Sequence, residues 1–192
     1  NAYKRMLAYS SIEHIRIISI GFGLGNKMGI FAALLHLVNH SLIKCSLFLT
    51  AGNILHLFKT KNSDEIKGVI SRDYYTGWLW MLGIIAICGF PPFGTFISEL
   101  LIFKAMFANK MYWQTALLVF LLLIVLCGMM GKAISMSFGL PSSNPVIQTN
   151  APLSEKVMNC FPQILFLIAS VVLCLYIPNK IMNLLTNAVF LF

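Results

Sequence analysis

Acid is what this 192-residue chain has least of: six Asp and Glu in all, against fourteen Lys and Arg. Charged residues of both signs make up only 10%, where a soluble domain carries about 25%, and mean hydropathy is +0.82. That shortage excludes a water-soluble fold, and a soluble enzyme with it. There is no CxxC: Cys45, Cys88, Cys127, Cys160 and Cys174 stand 43, 39, 33 and 14 residues apart. Iron–sulfur spacing and a disulfide framework are thereby excluded, and the cysteines read as small packing residues. No Ser/His/Asp set occurs, and the glycine-rich GFGLG (21–25) lacks the strand context of a phosphate loop. His36 and His40 have no third ligand at a metal-binding spacing. No aromatic-basic recognition segment is present either, so the basic excess speaks of membrane topology rather than nucleic acid. No signal-peptide pattern follows Asn1. Because Asn1 is not an initiator methionine, the chain reads as a C-terminal fragment.

What is present is long apolar runs, and the expectation is an all-α integral membrane protein. Runs at 6–25, 29–58, 112–136 and 157–177 each suit a span of ~20 residues. Residues 74–108 are interrupted by FPPFGTF, where Pro91 and Pro92 cannot continue a helix. Either two short spans (74–89 and 93–108) form a hairpin, or one helix is broken near 89–95. Charge placement favours the hairpin. It sets Lys4, Arg5, Lys59, Lys61, Lys67, Arg72, Lys110 and Lys180 on one side, and Lys27, Lys132 and Lys156 on the other. Eight against three makes the polar loop 59–73 cytoplasmic. Six spans in one membrane domain over 1–192 follow, with a loop at PSSNP (141–145) and an interfacial apolar tail. The multi-pass chain is expected in the cell's inner (cytoplasmic) membrane.

Within the second run, His36, His40 and Lys44 recur every four residues, which stacks them on one helix face over about 12 Å. An ionisable group at bilayer depth costs roughly 2.5–3.5 kcal/mol, so three in register point to a proton path. Burial disfavours the charged form of Lys44, which can then take up and release a proton as its neighbours change charge. Histidine relays through its two ring nitrogens. The structural alternative is that these groups only hydrogen-bond neighbouring helices or hold water. Glu99 stands in the middle of an apolar arm, eight residues past Pro91. Interrupted helices are tolerated at depth only inside protein or along a water-filled cavity, so an acid there is a proton or cation site. Its alternative is an ion pair with Lys104, poor geometry at i to i+5. Glu13 and His14 near the start of the first run are secondary candidates, with salt bridges to Arg5 or Arg16 as the competing role. Lys132 snorkels to the far interface or joins a relay. Trp78, Trp80, Trp113, Tyr74, Tyr75 and Tyr112 read as an aromatic belt.

Three segments together, KRMLAYSSIEH (4–14), LHLVNHSLIKCSLFLTAG (35–52) and GFPPFGTFISELLIF (89–103), resemble the antiporter-like proton-pumping membrane subunits. That group includes chains L, M and N of complex I, the large subunits of Mrp antiporters, and membrane subunits of hydrogenase-4 and formate hydrogenlyase. The AYSSIEH form is most similar to the hydrogenase-4 branch, in its F-type membrane component. The resemblance implies a fourteen-helix fold of inverted repeats, with this chain as its last six helices. It implies that Lys44 is the central proton carrier, His36 and His40 the connecting histidines, and Glu99 the terminal acid. Arg16 departs from the family's glycine. The implied role is a non-catalytic subunit of an oxidoreductase complex, binding no cofactor, with nickel–iron and iron–sulfur centres in partner subunits. Complex I chain M-like and Mrp-type Na+/H+ roles are the alternatives, and a non-conducting scaffold is the third.

Overall fold

The chain turns where its punctuation residues stand. Gly25 (φ 64°) separates α1 (Tyr3–Gly23) from α2 (Lys27–Phe58). Asn26 then caps α2, its side-chain oxygen accepting from the Gly29 N–H at 2.6 Å and satisfying a donor that the first turn leaves free. Lys59, in the left-handed region, ends α2. The computed structural model describes residues 3–140 and 153–190. After α2 come the short α3 (Val69–Arg72), then α4 (Tyr74–Ile87), α5 (Gly94–Ala108), α6 (Tyr112–Phe138), α7 (Leu153–Leu175) and α8 (Asn179–Val189). The protein is all-helical, with no sheet among the described residues. The PSSNP loop (141–145) lies outside them.

α2 is the axis of the packing and touches α1, α4, α5, α7 and α8. α1 crosses it closely because both helices carry small residues there. A Cβ on Gly21 would come within 2.8 Å of the Ala33 Cβ, and one on Gly29 within 2.7 Å of the Gly21 carbonyl oxygen. Three helices are long and apolar enough to cross a membrane: α2, α6 and Val157–Leu175 of α7. α6 shows most of its apolar surface outward, Phe120, Leu121, Leu123 and Ile124 among it. Tyr74, Tyr75 and Trp78 are exposed near one end of the bundle, as belt residues should be, and so are Tyr112 and Trp113 near the other. Trp80 is not a belt residue. It is fully buried and packs edge-on against Tyr3, with ring centroids 6.0 Å apart.

The expected hairpin at 74–108 is replaced by an interrupted passage. α4 leaves the end of the bundle that holds loop 59–73. α5, however, finishes at the opposite end, where the Asn109 side chain accepts from Asn26 Nδ2 (3.3 Å) and donates to the Leu24 carbonyl (3.4 Å). α6 then returns to the first end: Lys132 pairs with Asp64 at 2.8 Å, and Phe138 packs on Trp78. Lys132 therefore does not reach the far interface. α7 runs antiparallel to α2, since Gln163 is level with Ser46 while Ser170 is level with Asn39. α8 lies near the start of α2, where the Lys27 ammonium sits 4.7 Å from the Phe190 ring centroid. The break itself is well supplied with partners. Thr95 Oγ1 donates to the Ala86 carbonyl at 2.6 Å, and the Gly94 N–H donates to Ser170 Oγ at 3.1 Å. These bonds occupy backbone groups that would otherwise be stranded in a low-dielectric interior. A direct check is available: with Asn26→Cys and Asn109→Cys in a background without native cysteines, a short thiol-reactive cross-linker should join the two positions. A hairpin would put them on opposite faces of the membrane and give no product.

Candidate functional site

The buried face of α1 comprises Leu7, Ser10, His14 and Ile17, spaced three and four apart, and it lies against the His36/His40/Lys44 face of α2. Lys44, only 6% exposed, donates from Nζ to the Leu7 carbonyl at 2.5 Å and to Ser10 Oγ at 2.6 Å. Ser10 and Ser11 also donate to the Leu7 carbonyl, at 3.0 and 3.2 Å. Three donors thus converge on one oxygen. Glu13 is near enough to Lys44 and Arg16 to feel both charges. His40 is buried with its Nδ1 free of any partner, a ring edge ready to receive a proton.

His14 is the centre of the arrangement. Its ring lies 4.8 Å from His40 and 5.1 Å from His36, centroid to centroid, and its Nδ1 is 2.9 Å from His36 Nε2. The Ile87 backbone, at the last turn of α4, hydrogen-bonds the same ring. His36 continues through Nδ1 to Ser98 Oγ at 2.8 Å, and Ser98 in turn donates to the Gly94 and Thr95 carbonyls (3.1 and 2.9 Å). Glu99, the next residue, is 9% exposed. Its carboxylate lies against Gly89, where a Cβ would stand 2.3 Å from Oε2. Lys104 is exposed while Glu99 is buried, so the two face different surroundings.

The primary candidates therefore share one buried line, with Lys44 at one end, His40, His14 and His36 between, and Glu99 beside the helix break. Sequence spacing ranked His14 as secondary, yet it is the link between His40 and His36. The available signal was its place one turn beyond Ser10 on the face of α1 that meets α2. Ser10, Ser98 and Cys88 were not singled out, because small polar residues in apolar runs look like packing until a fold sets them beside a titratable group. Asn39 was missed too. Its Oδ1 would lie 2.0 Å from a Cβ on Gly94, so only glycine lets α5 begin there.

Two cavities meet this line. One of about 150 Å³ is lined by Glu13, His14, Cys88 and Glu99 with apolar residues of α6 such as Leu126 and Met129. That is room for a few waters. The other, about 660 Å³, lies between α1 and α6 and extends from Arg5, Ser63 and Lys132 to Glu13. Glu13 lines both. Lys132 sits at the loop end, half exposed in its pair with Asp64. Lys132→Ala should change stability in a detergent melt by under ~1 kcal/mol. It should also leave proton movement in vesicles at the wild-type rate.

The family model described as "NADH:quinone oxidoreductase/Mrp antiporter, TM" matches residues 1–127. The chain belongs to this family. The resemblance carried by the three segments is thus borne out. This antiporter-like subunit is 35% identical over 180 residues to the hydrogenase-4 component F homolog of Methylacidiphilum infernorum, covering 94% of the chain and 36% of that protein. It is 35% identical over 109 residues to NAD(P)H-quinone oxidoreductase chain 4 of Prochlorococcus marinus, covering 57% of the chain and 20% of that protein. The fold matches a chain of the Mrp complex from Dietzia sp. with a TM-score of 0.78 at 16% identity, over 95% of this chain and 41% of that one. The antiporter-like chain thus spans about a third or less of the length of these two relatives.

Proposed function

We propose that this chain moves protons across the cytoplasmic membrane as a subunit of a hydrogenase-4/formate hydrogenlyase-type complex. The observation that supports this best is the continuous line Lys44–His40–His14–His36–Ser98 ending beside Glu99. A proton arriving at Lys44 crosses to Glu99 by successive ring-nitrogen exchanges, with water in the smaller cavity bridging Glu13, His14 and Glu99. The hydrogenase-4 branch is favoured because that relative aligns over 94% of the chain, against 57% for the quinone oxidoreductase subunit. Redox chemistry belongs to partner subunits carrying nickel–iron and iron–sulfur centres; this chain holds no cofactor and is not itself a catalyst. Five passages of the membrane, with the third interrupted between α4 and α5, replace the six anticipated from charge. A cation/proton exchanger is the competing function, favoured by the fold's likeness to the Mrp complex chain. Proton uptake by vesicles, measured with Lys44 intact and replaced and with sodium present and absent, tests both. Lys44-dependent uptake indifferent to sodium supports the proposal. Sodium-dependent exchange supports the competitor, and uptake indifferent to Lys44 leaves only a scaffold.

A further inference from the structure

The His14–His36 contact has an unusual balance of hydrogens. Ser98 has a single hydroxyl hydrogen, and it is directed at the Gly94 and Thr95 carbonyls. Ser98 Oγ therefore accepts from His36 Nδ1–H, which leaves His36 Nε2 as a bare lone pair. On the other ring, the backbone of Ile87 engages His14. Its carbonyl can only accept, so it takes the N–H of that ring and leaves Nδ1 bare as well. Two lone pairs 2.9 Å apart repel unless a cation stands between them. When the protein relays protons, that cation is a proton. The same geometry suits another. One ligand atom each from His14, His36 and Glu99 lie within 4.8 Å of one another.

We propose that His14, His36 and Glu99 form an inhibitory site for a divalent transition cation of the zinc class, which takes the place of the proton shared by the two rings. Two imidazole nitrogens and one carboxylate are a donor set of the His₂Glu type, with metal–ligand bonds of about 2.0–2.2 Å. Tetrahedral ligands at those bond lengths stand about 3.3 Å apart, so the two nitrogens part by a few tenths of an ångström and the carboxylate closes in. The smaller cavity, bordered by His14 and Glu99, supplies room for water as the fourth ligand. Ser98 and the Ile87 backbone already orient the two rings from behind, as outer-shell partners of metal-bound histidines do. Glu13, on the same cavity wall, offsets the charge left over when a dication meets one carboxylate. Nitrogen donors disfavour magnesium and calcium, which take oxygen. No spacing rule reveals this site, because its ligands come from α1, α2 and α5.

The word inhibitory rests on the proton route proposed above; the metal site does not. The test uses the full-length subunit in its complex, reconstituted in vesicles, with zinc chloride as probe. Zinc-edge X-ray absorption should show two imidazoles in the shell, with one zinc per subunit. Zinc affinity by equilibrium titration should fall at least about tenfold in His14→Ala and in Glu99→Gln. Should His14→Ala fail to assemble, Glu99→Gln decides alone. A shell without imidazole, or unchanged zinc affinity in the assembled variants, overturns the site. If zinc binds as expected but Lys44→Ala pumps normally, the proton route falls and the metal site stands. If Lys44→Ala stops pumping and zinc does not bind, the site falls and the route stands.

Discussion

Lys44→Ala is expected to abolish coupled proton movement, by about 100-fold or more, while the partner subunits' redox turnover continues in part. The reasoning is local. Lys44 sits on the Leu7 carbonyl and Ser10 Oγ, neither of which can take its place as a proton carrier at neutral pH. Alanine leaves that carbonyl with its two serine donors, so the backbone stays satisfied and the fold should survive. Lys44→Arg is the sharper control. A guanidinium keeps the positive charge and the hydrogen bonds but does not release a proton in a protein. If charge alone mattered, Arg would restore pumping; a relay predicts that it fails like Ala. Lys44→Met, close in shape and apolar, should melt in detergent at or above the wild-type temperature, because it removes a buried charge. Pumping at the wild-type rate in all three variants would leave the site without a function.

Gly89→Ala should reduce proton movement by roughly tenfold to a hundredfold although no titratable group is changed. Gly89 adopts φ 70°, a conformation that costs an L-residue about 1–2 kcal/mol. Its missing side chain also leaves the space that Glu99 occupies: a Cβ there would stand 2.3 Å from Oε2 and 2.9 Å from the Glu99 Cδ. Alanine must therefore push the carboxylate away from the His14–His36 pair. Gly89→Asn separates the two effects, since asparagine tolerates the left-handed backbone but still carries a Cβ. Stability should recover in Asn relative to Ala, and transport should stay low in both. Transport that follows stability would mean that Gly89 matters only to the turn.

Much of the local structure was legible from residue order. α2 was expected over 29–58 and occupies Lys27–Phe58, because a capping Asn and a long apolar run mark both ends. The break at Pro91 and Pro92 was legible for the same reason: proline removes a donor and bars the preceding residue from helix. Direction through the break was not. Under the interrupted passage, Lys110 and Lys180 join Lys27 at one end, while Lys132 joins Lys4, Arg5, Lys59, Lys61, Lys67 and Arg72 at the other. Seven against three replaces eight against three, so the basic excess stays with loop 59–73 in either topology and cannot choose between them. The site was half legible. Residues sharing one helix face announce themselves by period, as His36, His40 and Lys44 do. Partners on other helices, such as His14 and Ser98, carry no such mark. Their placement depends on the small residues Gly21, Gly29 and Ala33 that bring α1 against α2, and on Asn39 holding the start of α5.

One helix outside the line of titratable groups grips both of its ends. α7 accepts from Ser46, two residues beyond Lys44, through the Gln163 carbonyl at 3.1 Å, and seven residues on it holds the first N–H of α5 through Ser170. Ser170 also reaches the Asn39 side chain at 3.5 Å. α7 is in effect a connecting rod. A slide of this helix along its own axis pulls on the neighbourhood of Lys44 and on the turn that carries Ser98 and Glu99 in the same stroke. The separation of donor and acceptor is then set mechanically by a helix that never touches the proton.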